Sequence, residues 1–252
     1  MNPTRGQMLS EMGIAPIWRL RDQKAAAFIA EDSSQATPPT PPVVVDLPRP
    51  TIRTAVCANV ADLDWEQLEQ CMATCHACEL AAHRRQVVPG VGDRKAEWLF
   101  IGEGPGAEED AKGEPFVGQA GKLLDNMLAA IGLQRDEKVY IANAVKCRPP
   151  GNRTPEADEI ATCNPFLLRQ IDLLSPRLIV LLGRSAAHAI LHEERGTLAS
   201  LRGKRFECKG IPVVVTYHPA YLLRNLPEKV KVWEDLLFAR QLMEGTKAPS
   251  LF

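Results

Sequence analysis

Long hydrophobic runs are missing from the sequence. Among its 252 residues the longest, such as 178–183, fall far short of the roughly 18 to 20 apolar residues that cross a bilayer, which excludes a membrane-spanning helix. Residues 1–21 have neither the charged start nor the apolar middle of a secretory signal, so the chain is expected in the cytoplasm. Net charge is almost absent too: 30 basic groups stand against 31 acidic ones, which does not by itself announce a nucleic-acid partner. No internal repeat is found. The seven cysteines, an odd number for a chain expected in a reducing compartment, argue against a disulfide framework and leave metal ligation, catalysis or burial as their uses.

The near-neutrality is an average over unlike segments. Residues 1–50 hold five basic and five acidic groups, residues 51–145 nine and fifteen, and residues 146–252 sixteen and eleven. An acidic middle and a basic C-terminal half can present one positive face to a polyanion.

Residues 33–42 carry four prolines among Ser and Thr, with Pro48 and Pro50 following, a composition that supports neither helix nor sheet. The expected organisation is a short head over 1–32, an extended linker over 33–61, a folded body over 62–245 and a flexible tail over 246–252. Within the body, short apolar runs at 98–101, 139–143, 178–182 and 211–215 read as parallel strands buried on both faces. Helical patterns are expected over 64–82, 121–131, 155–174, 185–191 and 227–243, the last with Val230, Trp233 and Leu237 on one face. The predicted fold is a three-layer α/β/α sandwich around a central, mainly parallel four-stranded sheet, a class that binds ligands outside the C-terminal ends of its strands.

The segments that follow the strands carry the chemistry. After the first come Gly102-Glu103-Gly104-Pro105-Gly106 and then Pro115-Phe116-Val117-Gly118; after the second, Asn143 and Cys147-Arg148-Pro149-Pro150; after the fourth, His218-Pro219-Ala220-Tyr221-Leu222-Leu223-Arg224. A Gly-rich dinucleotide loop is one reading of the first segment. Pro105 removes a backbone donor and Glu108-Glu109-Asp110 repels a pyrophosphate, which weighs against it. The pair Cys75 and Cys78, with Cys147 and Cys163, offers four thiolates in two groups, a set that fits tetrahedral zinc or a four-iron cluster. Burial as small hydrophobes is the alternative. Cys71-x3-Cys75-x2-Cys78 also has the spacing of radical S-adenosylmethionine enzymes, but it lies ahead of every strand, in the predicted 64–82 helix.

From about Cys75 to Phe238 these blocks, in their order and spacing, resemble the family 4 uracil-DNA glycosylases, which carry a four-iron, four-sulfur cluster. The resemblance implies an enzyme that extrudes uracil from DNA and hydrolyses its N-glycosidic bond, leaving an abasic site for base excision repair. It assigns Phe116 to stacking on the flipped base, Asn143 to pairing with its edge, and His218 to a hydrogen bond on O2 as negative charge builds there. In the best-known uracil glycosylase family an Asp orients the water at the position that is Gly104 here. Glu103 is therefore expected to polarise the water, with Gly104 giving backbone contacts and Glu109 reaching the space beside the 5-position. Leu222, Leu223 and Arg224 are expected to enter the minor groove, and Arg148 and Arg153 to meet phosphates, with Arg184, Arg202, Lys204 and Arg205 as further candidates. The implied cofactor is a [4Fe-4S] cluster on Cys75, Cys78, Cys147 and Cys163, with Cys57, Cys71 and Cys208 structural.

Two features fall outside that resemblance. Arg5-x3-Leu9-x2-Met12-Gly13-Ile14-x3-Trp18 resembles the N-terminal peptide of the psi subunit of the bacterial clamp loader, implying a clamp-loader partner for residues 1–32. Pro249-Ser250-Leu251-Phe252 is similar to the Leu-Phe ending of sliding-clamp-binding peptides, without their leading Gln. Uracil-containing DNA is the expected substrate and the expected state a monomer. The alternative is a DNA-binding adaptor, tethered to the clamp loader, whose pocket has lost catalysis.

Overall fold

The structure, a computed structural model, describes residues 59–192 and 197–245. The psi-like head, the linker up to residue 58 and the Leu-Phe tail lie outside the described residues.

Six strands form one sheet in the order β1-β3-β2-β4-β6-β5: β1 (Val91–Gly92), β2 (Trp98–Gly102), β3 (Val139–Asn143), β4 (Leu178–Leu182), β5 (Arg205–Cys208) and β6 (Ile211–Thr216). The four expected strands are the parallel centre, and every residue of β2, β3 and β4 is buried. Successive side chains point to opposite faces, so each strand feeds two cores. Leu99, Ile101, Ile179, Leu181, Val213 and Val215 face one, while Phe100, Ile141, Val180, Leu182 and Val214 face the other. Burying each such side chain contributes about 1.5–3 kcal/mol.

The count of four strands is corrected to six by two antiparallel edges, β1 on β3 and β5 on β6. β1 has only two residues, and β5 alternates exposed and half-buried positions, so neither shows the continuous apolar run that marks a central strand.

Helices cover both faces. α1 (Trp65–Thr74) starts at Asp64, which forms a reciprocal capping box with Gln67. The predicted 64–82 helix is broken: α1 ends where Cys75 turns extended, and a short α2 (Leu80–His83) follows. Arg84 supports the break, donating to the Ala73 carbonyl (2.8 Å) and to Cys147 Sγ (3.0 Å). Cys71, expected to be structural, is buried on the inner face of α1 beside Leu68 and Met72.

Next come α3 (Ala107–Lys112), α4 (Gln119–Ala130), α5 (Ala157–Leu174), α6 (Arg184–Leu191), α7 (Leu198–Leu201), α8 (Pro219–Arg224) and α9 (Lys229–Gly245). α1, α5 and α6 pack on one face of the sheet, and α4, α8 and α9 on the other. α9 is rotated from the expected face: Val232, Asp235, Leu236, Ala239 and Met243 are buried, while Val230 and Trp233 are 64% and 41% exposed. A buried ion pair sets that rotation, because Asp235 Oδ2 accepts from Arg202 Nε (2.7 Å) and from the Thr216 hydroxyl (2.6 Å). No helix among the described residues is long and apolar enough to cross a membrane.

The chain runs from β2 outward to β3 and then back across β2 to β4. The crevice left by this reversal lies at the strand ends where Gly102 pairs with Asn143 and Leu182 with Thr216.

Candidate active site

A cavity of about 490 Å³ opens at those strand ends, walled by Glu103, Gly104, Phe116, Asn143, His218 and Arg224. Asn143 closes β3, and its side chain is buried with no hydrogen-bond partner for Oδ1. A buried acceptor left unpaired costs about 1–3 kcal/mol, so this oxygen is arranged for a donor that arrives with a ligand. Gly102 makes the room: a Cβ there would lie 2.5 Å from both Asn143 Oδ1 and Phe116 Cζ. Beneath, the buried Lys146 Nζ donates to the Asn143 carbonyl (2.8 Å) and to Gln170 Oε1 (2.7 Å), fixing the turn that carries the amide.

His218 faces Asn143's wall from the end of β6. It is the N-cap of α8, and its Nδ1 accepts from the Ala220 N–H at 3.2 Å. An Nδ1 that accepts a hydrogen bond leaves the proton on Nε2, so the neutral ring presents an N–H donor. Burial pushes its pKa down to about 4; nearby Glu109 pulls it up and Arg224 pushes it down further. The imidazole is therefore neutral at neutral pH. It stacks on Phe116 with centroids 5.4 Å apart and planes at 29°.

Glu109, expected beside the base, lines the cavity but spends its carboxylate on the backbone. Oε1 accepts from the N–H groups of Val117 (3.0 Å) and Gly118 (3.1 Å), and Oε2 from Gly106 (3.1 Å). It pins two site-bearing loops together. Glu103 Oε2 accepts from the Ser185 hydroxyl at 2.7 Å, which anchors that carboxylate from the first turn of α6. Gly104 lies close under Val145, whose Cγ2 would be 2.7 Å from an added Cβ.

The expected DNA-facing residues divide. Leu222 is corrected: it is 1% exposed and packs in the core with α4 and α9, because Pro219 and Leu222, three apart, share the inward face of α8 and turn Leu223 away. Leu223, 43% exposed, points outward, and Arg224 stands at the cavity. Arg153 is held in a bidentate pair with Glu159 (2.7 and 2.8 Å), and Arg202 is held by Asp235 and lies over the Tyr217 ring at 4.7 Å. The charge of both is balanced within the chain. Arg148 Nε donates to Asn152 Oδ1 at 2.7 Å, keeping its guanidinium beside the cavity loop.

Cys75 and Cys78 sit in the break between α1 and α2, and Cys147 and Cys163 are buried across from them; all four are free thiols. Their charges interact: Cys78 with Cys147 and Cys75, and Cys163 with Cys147 and Cys78. Burial pushes the Cys163 thiol up to about 12 and also raises Cys147 and Cys78. Three neighbouring thiols that resist ionisation alone, Cys78, Cys147 and Cys163, fit a metal group whose positive charge would reverse that preference. Among the described residues no group of three or more His, Cys, Asp or Glu side chains is already gathered to hold a metal ion. The candidate donor set is all sulfur, the ligand type of both structural zinc and iron–sulfur clusters. Arg84 and the Lys146 N–H donate to Cys147 and Cys163 Sγ at 3.0 and 3.4 Å, as donors around cluster sulfurs do.

Ser185, Arg84 and Lys146 were not foreseen from the sequence, and Gly102 was seen there as part of a motif without its space-making role. Only Gly102 carried a signal, as a glycine ending a buried strand.

The fold and cavity define an α/β protein with a strand-end pocket walled by an unpaired amide, a neutral imidazole and an aromatic ring, and with an acidic, proline-bearing loop unsuited to a dinucleotide's pyrophosphate. Residues 89–237 match the uracil DNA glycosylase superfamily. The chain belongs to that superfamily and, within it, to the type-4 uracil-DNA glycosylases. It is 44% identical over 186 residues to the type-4 uracil-DNA glycosylase of Archaeoglobus fulgidus, covering 71% of this chain and 92% of that protein. With the type-4 enzyme of Thermotoga maritima it shares 43% identity over 173 residues, 68% and 90% of the two chains. A type-5 uracil-DNA glycosylase of Pyrobaculum aerophilum is more distant, at 34% over 153 residues, 55% of this chain and 67% of the other.

Proposed function

We propose that this chain excises uracil from DNA, hydrolysing the N-glycosidic bond to release uracil and leave an abasic site, the first step of base excision repair. The observation that carries it is the orphaned Asn143 Oδ1, buried opposite a neutral His218 with its Nε2–H available. Uracil offers N3–H to that oxygen and O4 to the amide NH2, whereas cytosine presents the opposite pattern at both atoms. Phe116 covers the face of the base.

As the N1–C1′ bond breaks, its electron pair moves into the base and charge collects on O2, where the Nε2–H of His218 donates. A fixed donor at such an oxygen contributes about 2.7–4 kcal/mol. The sugar becomes oxocarbenium-like. Glu103, held through Oε2 by Ser185, orients the water that adds to C1′ and takes up its proton, and the uracil anion leaves. Leu223 fills the gap in the stack, with Arg224 and Arg148 near phosphates. Cys75, Cys78, Cys147 and Cys163 would hold a [4Fe-4S] cluster, whose contribution is structural, tying the α1–α2 break to the loop that follows β3. On sequence likeness alone, residues 1–32 and the last four residues are offered as tethers to the clamp loader and the sliding clamp; no feature of the described residues favours the inactive-adaptor alternative.

A uracil-containing oligonucleotide treated with the protein and then alkali should break at the uracil. Cleavage no greater than that of His218→Ala would overturn the assignment. Freshly purified protein should absorb in the visible and contain about four irons per chain, a stoichiometry that zinc-loaded protein would lack.

A further inference from the structure

Phe116 is a buried aromatic at φ +55°, the left-handed region that bulky residues avoid. Such a conformation persists only where its surroundings enforce it. Two surroundings do so here. Gly121, in the first turn of α4, lets the Phe116 carbonyl press against the helix: a Cβ on that glycine would lie 1.7 Å from the Phe116 oxygen. Arg135, in the loop between α4 and β3, donates from Nη1 to the Pro115 carbonyl (3.1 Å) and from Nη2 to the Phe116 carbonyl (2.5 Å). Its Nε is paired with Asp125 of α4, which aims the guanidinium. The fork thus reads two successive carbonyls of the strained turn, a geometry that a lysine cannot reproduce in full.

We propose that Arg135 is a positioning residue for base recognition: its guanidinium holds the Pro115–Phe116 turn so that the Phe116 ring stands against His218 and over the extruded base. This rests on the assignment of Phe116 to base stacking. Arg135 touches neither substrate nor the reacting atoms, so its effect must pass through Phe116.

The test is a double-mutant cycle on full-length protein, measuring kcat and KM with a uracil oligonucleotide and competitive inhibition by free uracil. Arg135→Ala should lower kcat/KM by about 10- to 100-fold and weaken free-uracil inhibition by a similar factor. Arg135→Lys should restore part of the loss. Asp125→Asn, at a more exposed site, should show a smaller loss of the same kind. In a Phe116→Ala background, adding Arg135→Ala should cost less than about twofold. An undiminished cost there, or wild-type behaviour of Arg135→Ala, overturns the proposal. If Arg135→Ala melts below the assay temperature, Arg135→Lys and Asp125→Asn decide by the same cycle. Absence of uracil release by the unsubstituted protein would instead sink the functional assignment, and free uracil binding, measured calorimetrically, would still read the Arg135 effect.

Discussion

At the scale of single residues, the recognition of uracil comes down to which atoms are left without partners. Asn143→Ala removes the acceptor and donor that face the base edge and should lower kcat/KM by about 10²–10⁴-fold with little change in thermal stability, checked by single-turnover kinetics and a melting curve. Stability should hold because Oδ1 has no partner in the folded chain to lose. His218→Ala should cost about 10²–10³-fold in the chemical step. His218 also leaves a signature in the pH dependence of folding. Its native pKa of about 4 lies below the ordinary 6.5, so between those values the unfolded chain binds more protons. Stability should therefore rise as pH goes from about 4 to about 6.5 and level off above, and urea melts of His218→Ala should lack that increment. Both residues were legible in the sequence through the resemblance of the blocks that carry them, one ending a buried strand and the other lying just beyond one. Leu222 was not separable from Leu223: neighbours on a one-and-a-half-turn helix differ only in which one the core claims.

At the scale of elements, apolar periodicity located the four central strands and most helices, since residues buried on both faces admit no polar interruption. It failed where burial is partial or polar. The edge strands β1 and β5 carry no apolar run, and α9 was turned by the Arg202–Asp235–Thr216 network, which no hydrophobic pattern encodes. The α1–α2 break reads as continuous helix in the sequence because Cys, His and Ala tolerate helix; in the fold Cys75 turns extended and the distant Arg84 caps the Ala73 carbonyl while reaching Cys147. Gly121 ties an element to the site. Gly121→Ala would drive a Cβ into the Phe116 carbonyl, so it should both destabilise the fold by about 1–3 kcal/mol and weaken uracil binding, measured by denaturant melts and free-uracil inhibition. An alanine is otherwise preferred inside a helix by about 1 kcal/mol, so the opposite sign would show that the turn can move away.

At the scale of the whole molecule, the charge that matters is the charge left after internal pairing. Arg153 and Arg202 are bound to Glu159 and Asp235. Substituting either with Ala should therefore lower stability while leaving the salt dependence of DNA binding nearly intact. Arg224→Ala, at the cavity mouth, should reduce the slope of log K against log salt by about one, as loss of one phosphate contact does. Filter binding across a salt series separates the two. Composition could state a basic C-terminal half but not which of its arginines remain unneutralised. What the sequence by itself determined is the layered α/β architecture, the strand-end position of Asn143 and His218 and the four thiols as a set, because these follow from local apolar pattern and from rare residue types at fixed spacing. Only the tertiary structure decided the Phe116 turn and its Arg135 fork, the Ser185 anchor of Glu103, the buried Lys146 beneath Asn143 and the employment of Glu109 on backbone amides. Each joins a side chain to atoms of another segment, and such contacts exist only once the sheet has brought its strand ends together.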